Sequence, residues 1–215
     1  ELELTAKSKN KTAMMGQTLE VKAGKQVQIK IKVHDPAEPN FCPLNMDNPS
    51  LAQIGISQPL NMPVLDHIDM IAGDVAGYID PDDQAYTDPT NPTAGVIARF
   101  ERNGGPDKNG YMTYVYQFKA DKSMYFRLRG TNLPAGVPHE TDAEGNPLAD
   151  TEANDNIYEK METEEEGYNG ITNKLLNLYL NDDLRISSIS KLDDVVEAYA
   201  DLWFYSNPIF IEVVD

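Results

Sequence analysis

From Gln26 to Val33 the chain alternates Val27, Ile29, Ile31 and Val33 with Gln28, Lys30 and Lys32. That period of two predicts a strand with one face in the core and the other in water. Tyr125 to Arg129 repeats the pattern, with Phe126 and Leu128 opposed to Arg127 and Arg129. Leu19 to Val21, Val64 to Ala72, Gly95 to Glu101, Tyr111 to Phe118 and Ile209 to Val214 also read as strands, being rich in β-branched and aromatic residues and bounded by Gly, Pro, Asn and Asp. Gly24-Lys25, Gly104-Gly105 and Asn109-Gly110 supply turns. Strands in series, without alternating helices, predict a mainly β fold: an antiparallel, immunoglobulin-like β-sandwich rather than a parallel α/β sheet.

Two patches change period near the end. Residues 173–180 place Leu175, Leu176, Tyr179 and Leu180 on one helical face, and residues 192–203 do the same with Leu192, Val195, Val196, Tyr199 and Trp203. Ser190, followed by Asp193 and Asp194, suits a helix start, where acidic groups meet the positive end of the dipole. Two short helices are therefore expected beside the sandwich.

Length and charge narrow the function classes. The 215 residues suit a single domain spanning 1–215. Thirty-five Asp and Glu against 18 Lys and Arg give a net charge of −17, which opposes nucleic acids and anionic membranes. No run approaches the roughly 20 apolar residues of a spanning helix. The acidity is local: 11 acidic residues between Pro138 and Glu166 face one base, Lys160, so this stretch carries −10 of the total. It predicts a solvated acidic insertion over about residues 138–170. Cys42 is alone and forms no internal disulfide. A start at Glu1, without Met or an apolar leader, reads as a mature or excised fragment.

Candidate chemistry is sparse. A hydrolytic metal centre needs clustered His and carboxylates, and the best fragment is Asp66-His67-Ile68-Asp69. In a strand, Asp66 and His67 point to opposite faces, leaving only His67 with Asp69, and the plainer reading is a polar strand face. Cys42 has His34 eight positions upstream but no visible orienting group, so a structural thiol is expected rather than a nucleophile. Calcium, which takes oxygen ligands from irregular loops, has two compositional candidates. One is Asp80, Asp82, Asp83 and Asp88 with Asn91; the other is Asp142, Glu144, Asn146 and Asp150, spaced like an EF-hand loop but with Pro147 where that loop needs Gly and Ala153 where it needs Glu. Ordinary Asx turns are the alternative for both. Tyr111, Tyr114, Tyr116 and the run Trp203-Phe204-Tyr205 offer a sugar-stacking platform or core packing. Arg127 and Arg129 share a strand face, where pairing with an internal carboxylate is expected over a ligand clamp.

Four segments together carry a resemblance: Leu65-Asp66-His67-Ile68-Asp69-Met70-Ile71 followed by Gly73; Tyr125-Phe126-Arg127-Leu128-Arg129-Gly130-Thr131-Asn132; Thr141-Asp142-Ala143-Glu144-Gly145-Asn146-Pro147-Leu148; and Ala200-Asp201-Leu202-Trp203-Phe204-Tyr205-Ser206-Asn207-Pro208-Ile209-Phe210. Over residues 20–215 the chain resembles the C-terminal β-sandwich region of bacterial envelope or secreted proteins whose upstream part is a PHP-type (polymerase and histidinol phosphatase) metallo-phosphoesterase-like module. The PHP centre is built from His-rich motifs beginning with HxH, and this chain has none. The resemblance thus implies a non-catalytic accessory domain that packs on an upstream catalytic module of the same polypeptide, in a bacterial periplasmic, outer-membrane-associated or secreted setting. It needs no cofactor, with calcium as an optional stabiliser of one acidic loop. The alternatives are a carbohydrate- or surface-binding module and a metal-dependent hydrolase using His67 and Asp69.

Overall fold

The computed structural model describes residues 1–35, 47–75, 77–88, 90–102, 104–138, 140–148 and 202–214. The described strands are β1 (Leu2–Ser8), β2 (Lys11–Met14), β3 (Thr18–Lys22), β4 (Lys25–His34), β5 (His67–Asp74), β6 (Gly95–Glu101), β7 (Tyr111–Ala120), β8 (Met124–Thr131), β9 (Trp203–Tyr205) and β10 (Ile209–Val214). One short helix, α1, covers Pro49–Ala52. The chain divides into two compact units, one of Glu1–Asp35, Leu65–Gly130 and Trp203–Asp215, the other of Pro36–Val64 and Thr131–Leu202.

The first unit holds two sheets. A four-stranded sheet runs β2-β1-β4-β7, and a six-stranded sheet runs β3-β10-β8-β5-β6 with β9 paired to β8. Their inner faces share one core, in which Val27, Ile29 and Ile31 of β4 meet Ile68 and Met70 of β5, Phe126 and Leu128 of β8, and Ile209 and Ile211 of β10. Phe118 of β7 and Phe126 of β8 contact across the sheets with ring centroids 4.9 Å apart. The result is a β-sandwich, built from the alternation that the sequence displays.

Three details depart from expectation. β1, β2 and β9 carry weaker strand patterns and are not anticipated; they form because they complete hydrogen-bonded ladders, β1 against both β2 and β4. The pairing is not antiparallel throughout, since β10 lies parallel to β3 with Ile211 opposite Leu19. Trp203 stands in β9, not at the end of a helix, because Leu128 N–H donates to Ser206 Oγ at 2.8 Å and Ser206 N–H to the Leu128 carbonyl at 2.9 Å, tying this stretch to β8. The remainder of the two helical patches, residues 173–180 and 192–201, lies outside the described residues.

The β1–β2 connection contains Lys9 with φ 51°, the sole non-glycine positive φ among the described residues. A side chain in this left-handed region costs on the order of 1 kcal/mol that glycine avoids. Gly130 serves a different need. A Cβ there would collide with the Phe204 ring, so only glycine lets β9 lie against β8.

The second unit is small in its described part. Asn48 Oδ1 accepts from Ser50 N–H at 2.9 Å and Leu51 N–H at 3.3 Å, capping α1. Leu51 packs with Leu133 and Val137. Glu140, expected to be solvated with the rest of the acidic stretch, is buried, and its Oε1 accepts from Ser50 Oγ at 2.8 Å.

Candidate functional site

β5 runs between β6 and β8, and the residues on both its faces are buried. The polar face expected from alternation is therefore interior: His67 is 1% exposed and Asp69 0%. A buried carboxylate is costly unless paired. Register supplies the first partner, because Asp69 stands opposite Arg99 of β6. Arg99 donates from Nε to Asp69 Oδ1 at 2.7 Å and from Nη2 to Oδ2 at 3.2 Å, a two-pronged pair. The second partner comes from β8, where Arg129 Nη2 donates to Asp69 Oδ2 at 2.6 Å.

Burial alone pushes the Asp69 carboxyl upward, but the hydrogen bonds from Arg99 and Arg129, joined by the charges of Arg99 and His67, outweigh it and hold the group below the usual carboxylate range. The hydrogen bond to Asp69 raises Arg99 in turn, against the opposing effect of its own burial. With three donors on it, Asp69 is a fixed anion and a poor proton acceptor.

His67 lies between two carboxylates. Its Nδ1 is 2.7 Å from Asp66 Oδ2, and since an ionised carboxylate only accepts, Nδ1–H is the donor. Its Nε2 is 3.8 Å from Asp69 Oδ2, buried and without a hydrogen-bond partner. The expectation that Asp66 points away from His67 fails because Asp66 precedes β5, and its side chain reaches the ring. Among the described residues, no three His, Cys, Asp or Glu side chains are arranged to hold a metal ion.

Beyond the carboxylate, Arg129 lies under Trp203, with its guanidinium 5.5 Å from the ring centroid, and Arg127 lies under Tyr205 at the same distance. Alternation along β8 and β9 makes this two-rung ladder. The expected arginine–carboxylate pair is thus split: Arg129 reaches Asp69 with a single bond, Arg127 stacks on Tyr205, and the two-pronged partner is Arg99. The sequence pattern does not single out Arg99, although an Arg between Ala98 and Phe100 in the run Gly95 to Phe100 is its visible trace.

The other candidate residues are dispersed. Asp80, Asp83 and Asp88 each accept a backbone N–H two residues ahead, from Asp82 at 3.0 Å, Ala85 at 2.9 Å and Thr90 at 2.9 Å. Asn91 does the same for Thr93 at 3.0 Å. Thr90, through its hydroxyl and its backbone N–H, lowers Asp88. Asp142 Oδ1 accepts from Glu144 N–H at 2.9 Å and Asn146 N–H at 2.7 Å, while Oδ2 takes the Asn146 amide at 2.9 Å. These are Asx turns, in which one side-chain oxygen of each residue accepts from backbone. Asp150, Cys42 and His139 lie outside the described residues. Tyr114 and Tyr116 pack on the core, whereas Tyr111 faces outward and donates to Glu1 Oε2 at 2.7 Å, so the three tyrosines form no common platform.

No known protein family, curated protein or solved structure matches the chain.

Proposed function

We propose that this chain is a non-catalytic accessory domain: an immunoglobulin-like β-sandwich belonging to a larger phosphoesterase-like protein of the bacterial envelope or exterior, packing on that protein's catalytic module. The observation that carries the reading is the state of Asp69. The most elaborate titratable cluster among the described residues is a closed knot in which one carboxylate is saturated by two guanidiniums and one of these is capped by Trp203. Catalytic carboxylates need an open coordination or proton-transfer position, and Asp69 offers neither. Two sheets closed on one apolar core support the sandwich as a rigid packing module.

The test is an assay of residues 1–215 against generic phosphodiesters with magnesium, manganese and zinc. The expected result is no turnover above the buffer rate. Metal-dependent turnover abolished by His67→Ala would overturn the reading.

A further inference from the structure

The registers of the four-stranded sheet place Lys7 of β1 beside Gln28 of β4, and Gln28 beside Gln117 of β7. At the turn end of these strands an open depression of about 480 Å³ is lined by Lys7, Ser8, Lys9, Lys25, Gln26, Gln28 and Gln117. Among the described residues no carboxylate lines it, although acids outnumber bases 35 to 18 in the chain. Residues 1–34 hold seven lysines against Glu1, Glu3 and Glu20.

Lys11 is 3.4 Å from Glu20, Lys32 3.5 Å from Glu3 and Lys122 2.7 Å from Asp74, whereas Lys22, Lys30, Lys108 and Lys119 have no such partner among the described residues. Among the described residues Lys7, Lys9 and Lys25 have no carboxylate within ion-pair distance. Lys9 also keeps a side chain at φ 51°, where glycine would relieve the backbone.

We propose that this depression binds a short acidic saccharide, its carboxylate held by Lys7, Lys9 and Lys25 and its hydroxyls by the glutamines. The inference goes beyond the accessory-domain reading and stands on its own observations. A carboxamide offers both an acceptor and two donors, which suits vicinal hydroxyls, while ammonium groups suit a carboxylate. The volume falls within the range of small-ligand sites, roughly 300–1,000 Å³. Screening selects a short ligand. At physiological salt charges act over about 8 Å, so the three lysines dominate at the depression, whereas a long polyanion would run out over a molecule of net charge −17.

The 215-residue chain, isotopically labelled, is titrated with trigalacturonate, a neutral galactose trisaccharide, hexaglutamate and inorganic phosphate, following backbone amide shifts. Trigalacturonate should saturate shifts at residues 7–9 and 25–28, with the neutral sugar at least tenfold weaker. Lys7→Gln with Lys25→Gln should weaken binding at least tenfold. Lys9→Gly should weaken it severalfold while holding or raising the melting temperature, which separates lost binding from lost folding. Absence of saturation, unchanged affinity in the double variant, or equal binding of hexaglutamate or phosphate would each overturn the proposal. Phosphodiester turnover, in contrast, removes the accessory-domain reading and leaves these titrations intact, so the two failures are distinct.

Discussion

On the outer face of the six-stranded sheet Asp69 of β5 is withdrawn from water and paired with Arg99 of β6 and Arg129 of β8. On the outer face of the four-stranded sheet Lys7, Lys30 and Lys119 stand in solvent without acid partners among the described residues. Both faces begin from the same two-residue alternation of apolar and polar side chains. What separates them is position. β5 is buried on both faces, whereas β1 and β4, also flanked by strands on both sides, leave their outer side chains in water. A charge on β5 either finds an opposite charge or is not tolerated, while a lysine at an open sheet surface carries no such obligation. The first face is consequently a structural knot, and the second is free to meet a ligand.

Four measurements would break or sharpen this contrast. The largest effect is expected from Asp69→Asn, which leaves the buried Arg129 and the partly buried Arg99 without their anion and should cost roughly 3–5 kcal/mol in urea unfolding. A loss under 1 kcal/mol would mean that the knot is ornamental. Next comes acid. The folded Asp69 carboxyl lies below its unfolded value of about 3.9, so its contribution is fully present above that pH and disappears as the pH falls through the folded value. Unfolding free energy measured between pH 6 and pH 2 should therefore drop at the acid end, and more steeply in the wild type than in Asp69→Asn. Parallel curves would place the acid lability elsewhere.

Smaller effects belong to the exposed face. Lys30→Gln and Lys119→Gln should each change stability by no more than about 0.5 kcal/mol, the range of an unpartnered surface position. A larger loss would show that this face, too, is structurally committed. Smallest of all is the response to calcium. Because Asp80, Asp83, Asp88 and Asp142 already accept backbone N–H groups, millimolar calcium should move the melting temperature by less than about 1 °C relative to chelator. A site filled only in the folded state would shift it upward by mass action.

Much of the scaffold was visible in the chain. β4 and β8 announce themselves through Val27 to Val33 and Phe126 with Leu128, because a residue that must face a core every second position leaves a mark in any window of the sequence. β1, β2 and β9 were not visible, since their stability comes from ladders to partners distant in sequence. The site was half legible. His67, Asp69 and Arg129 stood out as chemistry-bearing groups on strands, but Arg99 did not, and nothing local showed that Asp66 would turn back to the His67 ring.

The sequence by itself determined the class of the fold, the alternation that builds its core, and the separation of charge into acidic and basic stretches. Tertiary structure decided the meaning of each polar residue. Asp69 and Lys7 are both charged groups on alternating strands. One became an interior anion and the other an open cation because burial depends on what lies over a face, which residues distant in the chain decide: Trp203 stacks on Arg129 beside Asp69, while β1, although between β2 and β4, leaves Lys7 in solvent.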